Sequence, residues 1–274
     1  MFRITTVVEN TSASKPKFKA EHGLSIFIET KKEKFFFDTG QSDVFVHNAK
    51  LLNIDLTKIK KVVLSHGHYD HGGGLKYLLD YAKPIVYGHP EIFRDRYSKL
   101  SDTGKLRYLG IEKREFYEEK GIKFILDDKP MEVSENIYTT GFEEMTTDFE
   151  EVDKNFVYKK NGVYEKDDVT DDMSLILDVK KGLFIIFGCA HRGIINIIRQ
   201  AEKIFNKRVF GFIGGTHLGP ASDYQRKMVI EELKKMDLEI IGPSHCTGLK
   251  MTAELYCAFK DRVIFNNVGT VLEV

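Results

Sequence analysis

The run Val62-Val63-Leu64-Ser65-His66-Gly67-His68-Tyr69-Asp70-His71 constrains this chain more than any other feature, because it sets four metal-ligand side chains within six residues directly after an apolar strand. In extended chain, residues two apart leave on the same side, so His66 and His68 can share one ion. Asp70 and His71 follow where the backbone turns into a helix, so they leave toward a second ion, and Gly72 to Gly74 permit a close approach. Imidazole mixed with carboxylate suits zinc, manganese or iron without choosing sharply among them. A single histidine is ordinarily a hydrogen-bonded surface or core residue. Four ligand-type residues in this loop have little structural reason to exist without an ion.

The surrounding pattern predicts α/β architecture. Arg3 to Val8, Leu24 to Thr30, Lys34 to Asp38 and Lys61 to Leu64 read as strands, with Lys34 to Asp38 buried on both faces because it carries three consecutive Phe residues. Val44 to Leu52 reads as a helix with Ser42 or Asp43 as its N-cap. Leu75, Leu78 and Leu79 predict a helix from the glycine run to near Pro84, then a strand Ile85 to Tyr87. From Ser174 onward strands alternate with amphipathic helices: strands 175–179, 183–187, 209–213, 239–241 and 263–266, helices 194–205, 224–236 and 252–259. The charge-rich, polar stretch 91–170 reads as a cap or lid inserted into one domain spanning residues 1–274.

Lys+Arg and Asp+Glu are equal at 41 each, so no global field draws nucleic acid or an anionic membrane. Neither partner is expected. No apolar run approaches the roughly 20 residues of a membrane helix, and the first residues do not read as a signal peptide. Three cysteines, Cys189, Cys246 and Cys257, favour free thiols over a disulfide framework. A cytoplasmic protein is expected, acting on a small molecule. The oligomeric state is open.

The order Phe37-Asp38-Thr39-Gly40, Ser65-His66-Gly67-His68-Tyr69-Asp70-His71-Gly72-Gly73 and later strand-end histidines resembles the metallo-β-lactamase superfamily. That resemblance implies a four-layer αββα sandwich with metals at its edge. More narrowly, Glu21-His22-Gly23-Leu24-Ser25, Asp171-Asp172-Met173-Ser174, Gly188-Cys189-Ala190-His191, Gly214-Gly215-Thr216-His217-Leu218 and Pro243-Ser244-His245-Cys246 resemble a subgroup named for dihydropterin-ribofuranosylaminobenzene phosphate synthase.

The resemblance implies one metal on His66, His68 and His191 and a second on Asp70, His71 and His245, with Asp38 steadying the loop. His217 and His22 are placed as metal or substrate contacts. The sequence departs from the family where a bridging aspartate is usual, since Cys189 follows Gly188; it offers either a thiolate ligand or an inert packed thiol. The usual third-motif histidine is also missing, with Asp171 and Asp172 nearby as alternative ligands or turn residues. Arg192 and Lys250 are candidates for holding a phosphate. His47 and His89 have no such context.

Two divalent ions, zinc foremost, would supply a metal-bound hydroxide near neutral pH for hydrolysis of an ester or phosphoester, with Asp70 orienting it. The alternatives are a synthase-like transferase that polarises a diphosphate leaving group, and a non-catalytic metal-binding ligand sensor. A di-iron redox enzyme is disfavoured, because His68 stands where such relatives usually carry Glu.

Overall fold

In the computed structural model, which describes residues 1–12, 17–100 and 102–274, strand Lys34–Phe37 sends Phe35 and Phe37 to one face and Phe36 to the other. Both faces are covered, as three consecutive Phe residues require. Each buried phenylalanine stabilises the fold by about 1.5–3 kcal/mol relative to exposure.

Seven strands form the first sheet, in spatial order Val271–Glu273, Arg3–Val8, Ser25–Glu29, Lys34–Phe37, Lys61–Val63, Ile85–Gly88 and Lys123–Leu126. Six form the second: Ile240–Ser244, Val209–Gly215, Gly182–Phe187, Leu175–Val179, Ile137–Thr139 and Glu132–Ser134. Phe35, Phe37, Ile26 and Val63 from the first sheet meet Phe184, Ile186, Leu175 and Ile213 from the second in a shared core. The alternate residues face outward. Leu183, Ile185 and Phe187 pack under helices Ile194–Phe205, Asp223–Lys235 and Gly248–Phe259, while Phe36 and Val62 pack under helix Val44–Leu51. This is the expected four-layer αββα order.

Two local expectations change. The helix predicted from the glycine run to Pro84 is two four-residue turns, Tyr69–Gly72 and Leu75–Leu78. Gly74 donates its N–H to the Gly40 carbonyl instead of continuing the ladder, and a Cβ there would collide with the Thr39 carbonyl. Val263 to Asn266 is no strand: a single bridge joins Val263 to Ile241, and Asn266 is then taken by Thr6 Oγ1 at 2.6 Å. The edge strand Val271–Glu273 pairs instead with Arg3–Val8.

Within 91–170, Lys123–Leu126 is a strand of the first sheet and the pair Glu132–Ser134 and Ile137–Thr139 belongs to the second. The remaining strands, Arg96–Lys99, Leu106–Tyr108, Phe156–Lys160 and Val163–Lys166, form a separate four-stranded sheet. Its hairpin turns at Asn161-Gly162, both at positive φ, which is the two-residue loop that matches strand twist. Among the described residues no helix is long and apolar enough to cross a membrane.

Helix Ile194–Phe205 starts from Gly193 at φ 94° with no cap from that residue. Glu150 caps it from a distance, accepting from Ile195 N and Asn196 N at 3.0 Å each, and a Cβ on Gly193 would strike its carboxyl. Burial pushes the Glu150 carboxyl up to about 7 against these hydrogen bonds. The folded state therefore holds more protons than the unfolded chain between pH 4.5 and 7, so stability falls as pH rises through that window and levels off above it. Glu150→Gln, which keeps an acceptor without the charge, should remove that slope, worth on the order of 3 kcal/mol. Urea midpoints taken across the window would test this; equal slopes for both proteins would sink it.

Candidate metal centre

The signature loop leaves the first sheet where Leu64 N bonds Tyr87 O, so His66 and His68 emerge at the sheet edge. His191 follows strand Gly182–Phe187, His217 follows Val209–Gly215 and His245 follows Ile240–Ser244, the parallel run of the second sheet. Strand ends of one edge thus deliver all of them. His66 lies 4.5, 4.2 and 4.8 Å, between ring centroids, from His68, His71 and His191, and His71 lies 4.8 Å from His245. Asp70 Oδ2 stands 2.9 Å from His22 Nε2 and 3.4 Å from His245 Nε2.

The backbone is strained to do this. Asp38, Ala190, His217 and His245 adopt left-handed φ of 58°, 53°, 49° and 53°. Such conformations cost on the order of 1–3 kcal/mol for residues other than glycine and persist where surrounding structure over-determines them.

Hydrogen bonds around the rim fix which ring nitrogens face inward. Asp38 Oδ1 accepts from Ser65 N at 2.8 Å, and Oδ2 accepts from Ser65 Oγ at 2.7 Å and His71 Nδ1 at 2.6 Å. Ser65 Oγ, having donated, accepts from His66 Nδ1 at 2.8 Å. Asn10 Oδ1 accepts from His245 Nδ1 at 2.9 Å, and Glu9 holds His245 N at 2.7 Å. The Nε2 atoms of His66, His71 and His245 are therefore the ones turned inward. His66 Nε2 faces both His68 Nδ1 at 3.0 Å and His191 Nε2 at 3.3 Å, and one lone pair cannot serve two hydrogen bonds. His71 Nε2 faces His245 Nε2 and Cys189 Sγ, each at 3.1 Å. Inward lone pairs at this density call for a cation.

The electrostatics agree. Burial drives His66 and His191 well below the usual imidazole range, His68 down to about 3 and His245 to about 4, so all four rings stay neutral. His71 differs: burial pulls the same way, but Asp38 and Asp70 hold it up to about 9. Asp70 is kept well below the carboxylate range; burial opposes this and His22 and His245 outweigh it. Three groups of donors lie close enough to hold an ion, with ligand atoms within 4.8 Å of one another: His66, Cys189 and His191; His71, Cys189 and His245; His22, Asp70 and His245. Imidazoles with a carboxylate and a thiol fit a divalent ion of the zinc type.

Other candidates fall outside these groups. Asp172 accepts the backbone N–H of His191 and lies 3.9 Å from His66 Nδ1. Asp171 accepts the N–H of Gly67, inside the signature loop, at 2.8 Å and also pairs with Arg96. Arg96 comes from the small sheet and holds Asp167 with its Nε at 2.8 Å, all three groups being buried. Arg192 donates to the carbonyls of Glu143 and Asp168, so it is not free to grip a phosphate as expected. His217 stacks 4.3 Å from His191 and opens onto a cavity of about 340 Å³ lined by Asp153, Lys154, Asn155 and Gln225. Phe156 of the small sheet covers His68, His191 and His217 at 5.2–5.8 Å. His47 bonds the Lys17 carbonyl and His89 a nearby backbone N–H, as ordinary loop residues do.

Sequence reasoning missed Asn10, Glu9, Ser65, Arg96 and Phe156. Glu9 and Asn10 end an apolar strand, the same signal that marked the later histidines. Arg96 carried no local signal.

A family model for the metallo-β-lactamase superfamily matches residues 19–153. The chain is 33% identical over 276 residues to an uncharacterized protein of Methanocaldococcus jannaschii, covering 99% of this chain and 100% of that one. It is 32% identical over 282 residues to the 7,8-dihydropterin-6-methyl-4-(beta-D-ribofuranosyl)-aminobenzene-5'-phosphate synthase of the same organism, covering 99% and 96%. The crystal structure of Tm1679, a metal-dependent hydrolase of the β-lactamase superfamily, superposes with a TM-score of 0.86 at 30% identity, covering 100% of this chain and 99% of the other.

Proposed function

The chain belongs to the metallo-β-lactamase superfamily, and from that premise we propose that it is a metal-dependent hydrolase of an ester or phosphoester-type small molecule. The inward-facing Nε2 atoms of His66, His71 and His245, each fixed by a partner on its far side, carry this reading. His66, His68 and His191 would hold one ion and Asp70, His71 and His245 the other. Bound there, such ions supply Lewis acidity and a water activated near neutral pH. Asp70 Oδ2 would orient the attacking water as an ionised acceptor, with His22 Nε2, half exposed, 2.9 Å away. His217, at the cavity it shares with Asp153, Lys154, Asn155 and Gln225, would contact a bound substrate. The small sheet would act as a lid, with Phe156 excluding water from the histidines.

The likeness to the synthase favours a second reading, group transfer between phosphorylated small molecules at the same centre. Zinc-loaded protein assayed on phosphodiesters, phosphomonoesters, lactones and thioesters separates the two. Turnover is expected in at least one class, abolished by a chelator, restored by zinc and lost in His68→Ala. No turnover by the loaded protein, with His68→Ala still binding ligand normally, would rule out the hydrolase.

A further inference from the structure

The geometry points to Cys189 as a thiolate shared by both ions, in the place where a carboxylate would ordinarily bridge. This rests on the two-ion part of the proposed function and adds the identity of the bridge and the class of ion it selects. Among the described residues, Cys189 is the side chain common to the His66 and His191 group and the His71 and His245 group. Its Sγ lies 3.1 Å from His71 Nε2, and the residue is buried.

Local structure aims the sulfur at the histidines. Gly188 is pressed against Ser65, where a Cβ would collide, which seats the turn directly on the signature loop. Ala190, left-handed at φ 53°, then lets residues 189 and 191 both reach His66. The link between Cys246 and this turn runs to the Cys189 carbonyl at 3.6 Å, and Cys246 Sγ itself accepts from His217 N at 3.2 Å. The Cys246 thiol is thus engaged by the neighbouring backbone and also meets the Cys189 thiol.

Charge makes the same demand. Two divalent ions roughly 3.5–4 Å apart repel unless an anion lies between them. His66, His68, His191 and His245 are neutral, and the Asp70 carboxylate groups with His22 and His245 rather than with His66 and His191. Among the described groups that could hold an ion, Cys189 is the acidic side chain common to both the His66 and the His71 group. Each thiol that binds releases one proton to solvent as the metal–sulfur bonds form. Thiolate favours zinc or cobalt(II) over the oxygen-seeking manganese and magnesium.

Cobalt(II) reports sulfur directly, so metal-free protein is titrated with cobalt while the near-ultraviolet sulfur-to-cobalt charge-transfer band and the bound metal are measured. Wild type and Cys246→Ser are expected to take up two ions with the band. Cys189→Ser should lose the band, and Cys189→Asp should bind two ions without it, showing an intact fold in which a carboxylate bridges. A band that survives in Cys189→Ser, or wild type holding two ions with no band, overturns the proposal. Turnover enters none of these readouts: a silent ester panel with the band present removes the hydrolase alone, and active enzyme without the band removes the thiolate bridge alone.

Discussion

Arg96→Met is expected to destabilise the protein by about 3–5 kcal/mol, the usual cost of stripping the partner from a buried charge. Arg96 is among the largest fully buried side chains of the molecule, and both its partners, Asp167 and Asp171, are buried with it. Burial already pushes the Asp167 carboxyl up, Arg96 being what opposes the rise. Without the guanidinium, two carboxylates share an apolar pocket, and one of them must take up a proton or let water in. Arg96→Lys should recover little, since one ammonium cannot reproduce a fork that reaches two carboxylates at once. The triple variant Arg96→Met, Asp167→Asn, Asp171→Asn should recover most of the loss, because no charge is then stranded. Urea unfolding of the metal-free proteins measures all three. An unchanged midpoint in Arg96→Met would mean that the triad contributes nothing. Asp171 also holds the Gly67 amide, so the same variant should bind zinc more weakly than its stability alone explains.

The layers of the fold were readable because apolar spacing carries them. Phe35, Phe36 and Phe37 have no stable arrangement except between two covered faces, and helix Ile194–Phe205 shows one apolar stripe from end to end. What failed was set by contacts distant in sequence. The glycine run looked like a helix start until the Gly40 carbonyl claimed the Gly74 amide, and Val263 to Asn266 looked like a strand until Thr6 claimed Asn266. The small sheet escaped notice because its strands are short and charged, although Asn161-Gly162 is a hairpin signal that sequence does carry. Candidate ligands were legible for the same reason as the strands, each histidine being a polar residue at the end of an apolar run. Their rim was legible only in part: the family resemblance gave Asp38, which holds His71, whereas Asn10 lies 235 residues from His245. Only the folded chain can pair such residues.

Asp38 is where that rim is most exposed to a single change, and Asp38→Asn is expected to lower zinc affinity and turnover by about 10–100-fold with the fold retained. The carboxylate receives three donors: Ser65 N on one oxygen, Ser65 Oγ and His71 Nδ1 on the other. Asparagine keeps the first oxygen and replaces the second with an NH₂ group, which donates where it must accept. Ser65 can rotate its hydroxyl and accept instead, but it then competes with His66 Nδ1 for the same oxygen. His71 has no such freedom, because Asp38, Ser65 and the ring are all buried. Its remaining course is to move the proton to Nε2, the atom that faces His245 and Cys189. A protonated Nε2 cannot ligate. The variant should therefore show a changed His71 tautomer by nitrogen-15 NMR of the imidazole rings, together with weaker zinc in competition against a chromogenic chelator. Zinc affinity equal to wild type with the tautomer reversed would show that His71 is no ligand. A tautomer unchanged by Asp38→Asn would show that Asp38 does not set it.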